Sequence, residues 1–255
     1  MIGKIKWVIA EPLTGGMGMG FEKILGSPPL CVIHAEGYNN DFQYINYLNN
    51  VKGLNIPVIN TDGEFKKFIT EEDEILFNKI INENQIDIVP YVCICSGLSM
   101  LNNCTTGCNA RGDANNNQNQ NMYNLSSFIL EKIKPKVACF ENAPNAYSNS
   151  GKGVLDKLVE IGNRNEYSFS VEKVDTYDHG VPQHRQRTFV YFWNSKTSPY
   201  LKYEKKETLD LVKYLQLIPK DASQQDSYCI SKDSIKDTTY ECIQDLYNKN
   251  KHKSI

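Results

Sequence analysis

A chain of 255 residues, 40% hydrophobic and 23% charged, can bury one large core, or a core with a small appendage, and is not a disordered tail. Its net charge of -2 supplies no global basic field, so nucleic-acid contact would have to come from a local patch or from a part not present. No run of about 18 apolar residues occurs, and Met1 to Lys6 lacks the apolar region and small-residue cleavage site of a signal peptide, so an intracellular protein without a membrane partner is expected. The eight cysteines, at 31, 93, 95, 104, 108, 139, 229 and 242, read as reduced thiols rather than a disulfide framework. Cys93-x-Cys95 followed by Cys104-x-x-x-Cys108 departs from paired zinc-knuckle spacing, so no metal is expected.

Residues 5 to 10 read as a first strand, followed by Glu11-Pro-Leu-Thr-Gly-Gly-Met-Gly-Met-Gly20 and a helical pattern from Phe21 to Leu25. Strand, glycine-rich turn and helix let a ligand approach the backbone, because glycine lacks Cβ and accepts positive φ. A second strand, 31 to 35, ends in Glu36, placed to accept hydrogen bonds from a ribose diol. A third, 57 to 60, ends at Thr61-Asp62-Gly63. There Asp62 is placed to meet an adenine amino group, or to close an Asp-Gly turn with no further role. Residues 71 to 84 carry a helical stripe of Ile75, Leu76, Phe77, Ile80 and Ile81, read as core packing.

The β-branched run from 86 to 92 has the composition of a strand buried on both faces, and it stops at Cys93-Ile-Cys95-Ser-Gly-Leu-Ser99. Open α/β sheets carry their chemistry at such strand ends. A thiol there is either a nucleophile or, like most cysteines, a small buried hydrophobe. Residues 102 to 121 read as an Asn- and Gly-rich loop that either closes over a substrate or is a solvated insertion. A helix from 122 to 132, a stop at Lys134-Pro135-Lys136 and a buried strand from 137 to 140 follow, ending in Glu141-Asn142-Ala143-Pro144. Residues 153 to 161 read as a helix, 168 to 174 as a strand and 188 to 192 as the last strand, preceded by Gly180-Val-Pro-Gln-His-Arg185-Gln-Arg187. This alternation predicts an α/β fold with a doubly wound, mostly parallel sheet, with Glu11, Glu36, Asp62, Cys95 and Glu141 at the carboxyl ends of its strands.

In this order, over roughly residues 5 to 192, the motifs resemble those of the cytosine-C5 DNA methyltransferases. The first glycine turn is similar to the family's Asp-Leu-Phe-x-Gly-x-Gly. Cys95-Ser-Gly-Leu-Ser99 is similar to Pro-Cys-Gln-x-x-Ser, with Ile94 in place of the proline and Ser96 in place of the glutamine. Phe140-Glu-Asn-Ala143 resembles the stretch ending in Glu-Asn-Val, and Gly180 to Arg187 matches Gly-x-Pro-Gln-x-Arg-x-Arg without departure. The resemblance implies a Rossmann-like methyltransferase fold and S-adenosylmethionine as cofactor, held by Leu13, Gly15, Gly18, Glu36 and Asp62. It implies catalysis by Cys95, Glu141, Arg185 and Arg187 on C5 of a cytosine flipped out of duplex DNA.

C5 of cytosine is a weak nucleophile, and adding a thiolate at C6 turns the ring into an enamine that attacks a methyl sulfonium. The resemblance gives Cys95 that addition, Glu141 the N3 position and Arg187 the O2 position, with Arg185 in support. RNA methylation and a catalytically silent donor-binding subunit are the competing readings. Residues 1 to 193 are expected to be the catalytic domain, and 194 to 255 a short extension with helix candidates at 209 to 217 and 239 to 248. Two further motifs of the family are not found there, so either a truncated chain or one half of a split enzyme is expected, with a second chain supplying target recognition. A bacterial cell or phage-infected host is the expected setting.

Overall fold

The computed structural model describes residues 4–37, 42–99, 110–211 and 213. The expected helices at 239 to 248 and beyond residue 213 lie outside the described residues, as do Cys104 and Cys108. A compact unit spans Met1–Glu207.

Seven strands form one sheet in the order β3-β2-β1-β4-β5-β7-β6. They are β1 (Ile9–Ala10), β2 (Val32–Ala35), β3 (Val58–Thr61), β4 (Ile88–Val92), β5 (Val137–Asn142), β6 (Ser168–Asp175) and β7 (Gln186–Trp193). The pairs from β3 through β5 are parallel, and β7 runs antiparallel to both β5 and β6. The helices are α1 (Gly16–Leu25), α2 (Phe42–Asn46), α3 (Glu71–Glu83), α4 (Asn117–Phe128) and α5 (Lys152–Arg164). Helix α4 continues into a widened turn, Ile129–Ile133, closed by the Lys134 N–H on the Ile129 carbonyl at 3.0 Å.

The first strand shows why the sheet is covered on both faces. Trp7 and Ile9 pack with Val32, Tyr44, Ile45 and Leu48, whereas Val8 and Ala10 join the larger core of α3, α4 and α5. Side chains alternate along a strand, so consecutive apolar residues must serve two cores. This run is shorter as a strand than expected: pairing covers Ile9–Ala10, with Trp7 adding a single bridge to Ile88.

The chain leaves β1 toward β2 and β3 and returns to the other side of β1 as β4. That reversal opens a crevice at the carboxyl ends of β1 and β4, where doubly wound sheets bind ligands. Ala10 pairs with Tyr91, so the glycine turn and the Cys95 turn leave the sheet side by side.

The expected loop from 102 to 121 is corrected at its end, because α4 begins at Asn117. Asn116 caps it, its Oδ1 accepting from the Gln118 N–H at 2.8 Å while its Nδ2 donates to the Ala110 carbonyl at 3.0 Å. Asparagine is a loop former by propensity and a helix starter by position, and here position decides. Residues 194–207, placed beyond the expected boundary at 193, bond back to the sheet: Tyr203 Oη lies 2.7 Å from Tyr191 Oη, and the Lys206 N–H donates to the Asp178 carbonyl at 2.8 Å. No helix among the described residues is long and apolar enough to cross a membrane.

Candidate active site

Strand β4 ends at Val92, three residues short of a strand that would include Cys95. Had it continued, Cys93 and Cys95 would share a face, since side chains two apart point the same way. The chain turns instead, with the Leu98 N–H donating to the Cys95 carbonyl at 3.0 Å. Cys93 stays buried and Cys95 becomes exposed. Burial is the first reason the Cys93 thiol is pushed well above its ordinary pKa, followed by the nearby Glu11, Glu141 and Cys95. A thiol that resists ionisation is a poor nucleophile. The same interactions place Glu11, Glu141 and Cys95 within electrostatic reach of one buried atom, at the carboxyl edge of β1, β4 and β5.

Glu141 stands opposite Val92 in the β4–β5 register and opposite Phe189 in β5–β7. Its Oε1 meets Arg187 Nε at 2.5 Å, and the two side chains are 30% and 25% exposed, so the pair is neither dry nor fully screened. Burial raises the Glu141 pKa, and Arg187 and Arg185 pull it back without cancelling the rise. Arg187 is further fixed by Nη1 donating to the Gln186 carbonyl at 2.7 Å. Arg185 is exposed. Its backbone N–H donates to Asp175 Oδ1 at 3.2 Å, which anchors the loop before β7. His184 stacks on Tyr177 with ring centres 4.4 Å apart. Of the four expected catalytic residues, Glu141 and Arg187 touch, Arg185 lies close enough to act on Glu141 electrostatically, and Cys95 belongs to the neighbouring strand end.

The expected donor-binding residues gather around the crevice with different local tasks. Gly15, at φ +89, precedes α1 and supplies no side-chain cap, and no acidic residue occupies the first turn of α1. A β-carbon at Gly15 or Gly18 would come within 2.5 Å of the Tyr44 ring, so both glycines are needed for α1 to sit on Tyr44. Leu13 is half-buried in left-handed backbone at φ 49. Glu36 is exposed at the tip of β2, its N–H donating to the Thr61 carbonyl at 2.8 Å. Asp62 Oδ1 accepts from the Lys66 N–H at 2.8 Å, which is the turn-closing task that its Asp-Gly sequence suggested. A cleft of about 420 Å³ opens between Gly63 after β3 and Ile94 after β4, under Asn117, Gln118 and Asn121 of α4. A larger cavity of about 590 Å³, lined by Met19, Ser27, Tyr47 and Lys52 among others, lies by the carboxyl end of α1, at the opposite edge of the sheet.

Two contributors carry no short-range signal. Glu11 is buried and accepts the Ala35 N–H on Oε1, tying the end of β1 to that of β2 just before Glu36. Asn121 Nδ2 donates to the Gly63 carbonyl at 2.8 Å, joining α4 to the loop after β3. Among the described residues no group of three possible metal ligands occurs.

The profile of the C-5 cytosine-specific DNA methylases matches residues 44–254, most of the chain. The chain belongs to that family. Type II methyltransferase M.AgeI of Thalassovita gelatinovora is 32% identical to this chain over 107 residues, 42% of the chain and 23% of that protein. Type II methyltransferase M.HhaI of Haemophilus parahaemolyticus is 31% identical over 68 residues, 27% of the chain and 20% of that protein. The matched stretches therefore span less than a quarter of these relatives. Among solved structures, the Entamoeba histolytica methyltransferase EhMeth shares the fold at a TM-score of 0.56 and 15% identity, over 81% of this chain and 58% of that one.

The methyl donor of this family is S-adenosylmethionine, and the crevice fits it chemically. Exposed Glu36 suits a ribose diol, the uncapped amino end of α1 suits a carboxylate, and the cleft beside Gly63 and Ile94 suits a flat base.

Proposed function

We propose that this methylase transfers the methyl group of S-adenosylmethionine to C5 of a cytosine held outside the DNA duplex, through a covalent bond from Cys95 to C6. The observation that carries the reading is the Glu141–Arg187 pair, built where β5 meets β7 and on the same sheet edge as the exposed Cys95. The donor, when bound beside Glu36 and Leu13, supplies a methyl group on a sulfonium. Everything else is the work of side chains.

Cys95, as thiolate, adds its electron pair to C6 and pushes density toward N3 and O2 of the ring. Glu141 faces N3, and burial, by favouring its protonated form, equips it to donate there. Arg187 offers its cationic fork to O2, and Arg185 adds a second positive charge. The enamine then takes the methyl group at C5 as its bond to the sulfonium breaks, with that electron pair staying on the donor's sulfur. Loss of the C5 proton to a base expels Cys95 as thiolate, and N3 returns its proton to Glu141 as the aromatic ring is restored. A base inside a duplex cannot present C6 to a thiol fixed in such a crevice, so the cytosine has to be extruded.

The test is transfer of labelled methyl groups by the full chain to duplex DNA and, separately, to tRNA, with Cys95→Ser alongside. Labelled 5-methylcytosine in DNA that disappears with Cys95→Ser is the expected result. Label in tRNA alone, or undiminished transfer by the Cys95→Ser protein, overturns the proposal.

A further inference from the structure

Cys95 depends for its position on a turn, not a strand, and something has to hold that turn. Asn119 lies in the first turn of α4 and is completely buried at 0% exposure. Its Nδ2 donates to the Asp113 carbonyl at 2.9 Å, and its own N–H donates to the Asn116 carbonyl at 2.9 Å, so it is locked to the segment leading into the helix. Its Oδ1 is buried with no hydrogen-bond partner among the described residues. The carboxamide packs against Gly97, two residues after Cys95, oxygen foremost: a β-carbon on Gly97 would sit 2.9 Å from Asn119 Cγ and closer still to Oδ1. From the same segment, the Gly112 N–H donates to the Gly97 carbonyl at 2.9 Å. The Cys95 turn is thus gripped at Gly97 by a hydrogen bond from Gly112 and by the carboxamide of Asn119.

An apolar side chain of similar size would fill that site without burying a polar atom that lacks a partner. Asn119 does what such a side chain would not. One end fastens the 110–116 segment, and the other meets Gly97. We propose that Asn119 is a positioning residue that fixes the height of Cys95 over the crevice through its contact with Gly97. This rests on the reading of Cys95 as the nucleophile.

Three variants of the full chain test it: Asn119→Ala, Gly97→Ala, and the two combined. Each is read by the rate of Cys95 alkylation with iodoacetamide, mapped by mass spectrometry with buried Cys93 as internal control, and by methyl transfer. Because misplacing a reacting group by about 1 Å costs about 10²-fold, each single variant should lower transfer by about that factor and change Cys95 alkylation at least about threefold. Affinity for S-adenosylmethionine should stay within about twofold. In the double variant the β-carbon enters the space the carboxamide leaves, so the second change should add less than about twofold to the first. Alkylation and transfer within about twofold of the parent in both single variants, or fully independent effects in the double, overturn the proposal. If Asn119→Ala does not fold, Gly97→Ala alone decides by the same thresholds, and if the parent shows no transfer, alkylation decides. Failure of the underlying reading looks different: Cys95→Ser would then keep full transfer.

Discussion

Glu141 and Arg187 form an ion pair at the end of β5, where burial works against the charge on the carboxyl. Burial raises the Glu141 pKa despite the two arginines, so the stability linked to this carboxyl is fully present below its unfolded pKa and is lost as pH rises through the higher folded value. Glu141→Gln removes that titration, so its melting temperature relative to the parent should climb with rising pH. Over the same range its methyl-transfer rate should lie about 10²- to 10⁴-fold below the parent's, the span attributed to general acid catalysis. Paired thermal melts and transfer rates between acidic and mildly basic pH check both halves; unchanged transfer with a falling relative melting temperature would contradict both. That Cys95 and Glu141 follow or end neighbouring strands, and that Arg187 begins a strand beside them, was legible from the motifs at those strand ends. Alternation along a strand, which the sequence suggests as the means of separating Cys95 from Cys93, is not how they part: a turn separates them, and its Gly97 lies against Asn119, twenty-two positions further along the chain.

At the scale of elements, the glycine turn shows that glycines in one motif answer to different neighbours. Gly15 combines φ +89 with a β-carbon position 2.5 Å from Tyr44 Cδ2, whereas a β-carbon on Gly20 meets nothing within 4 Å. Left-handed strain together with overpacking against Tyr44 should make Gly15→Ala destabilising by about 2–4 kcal/mol. Gly20→Ala, in the exposed face of α1, should be neutral or stabilising by about 0.5–1 kcal/mol. Thermal or urea melts of the two variants separate them, and equal effects would show that Tyr44 does not set the spacing. Strand and helix order was readable from periodicity, whereas the antiparallel insertion of β7 between β5 and β6 carries no periodic signal. The start of α4 was hidden by its asparagines, which signal a loop until Asn116 is seen capping the helix. Glu11 holding the Ala35 N–H and Asn121 holding the Gly63 carbonyl were equally invisible, since neither partner lies within a local window.

For the molecule as a whole, the arrangement joins one parallel half of the sheet, whose strand ends offer Gly15, Glu36 and Asp62, to an antiparallel half that brings Arg187 onto Glu141. The crevice at the β1–β4 reversal lies within the parallel half, and Cys95 follows β4 there. A net charge of -2 gives this chain little general attraction for phosphates, so the proposed contact with DNA would be local, and capture of the base is the step that tests it. The most direct measurement offers the full chain DNA that carries 5-fluorocytosine, in the presence of S-adenosylmethionine, and maps any covalent adduct by mass spectrometry. Fluorine at C5 blocks the final loss of a proton, so the ring should stay bonded to Cys95, and Cys95→Ser should form no adduct. An adduct on Cys93, or an adduct that survives in Cys95→Ser, would contradict the account.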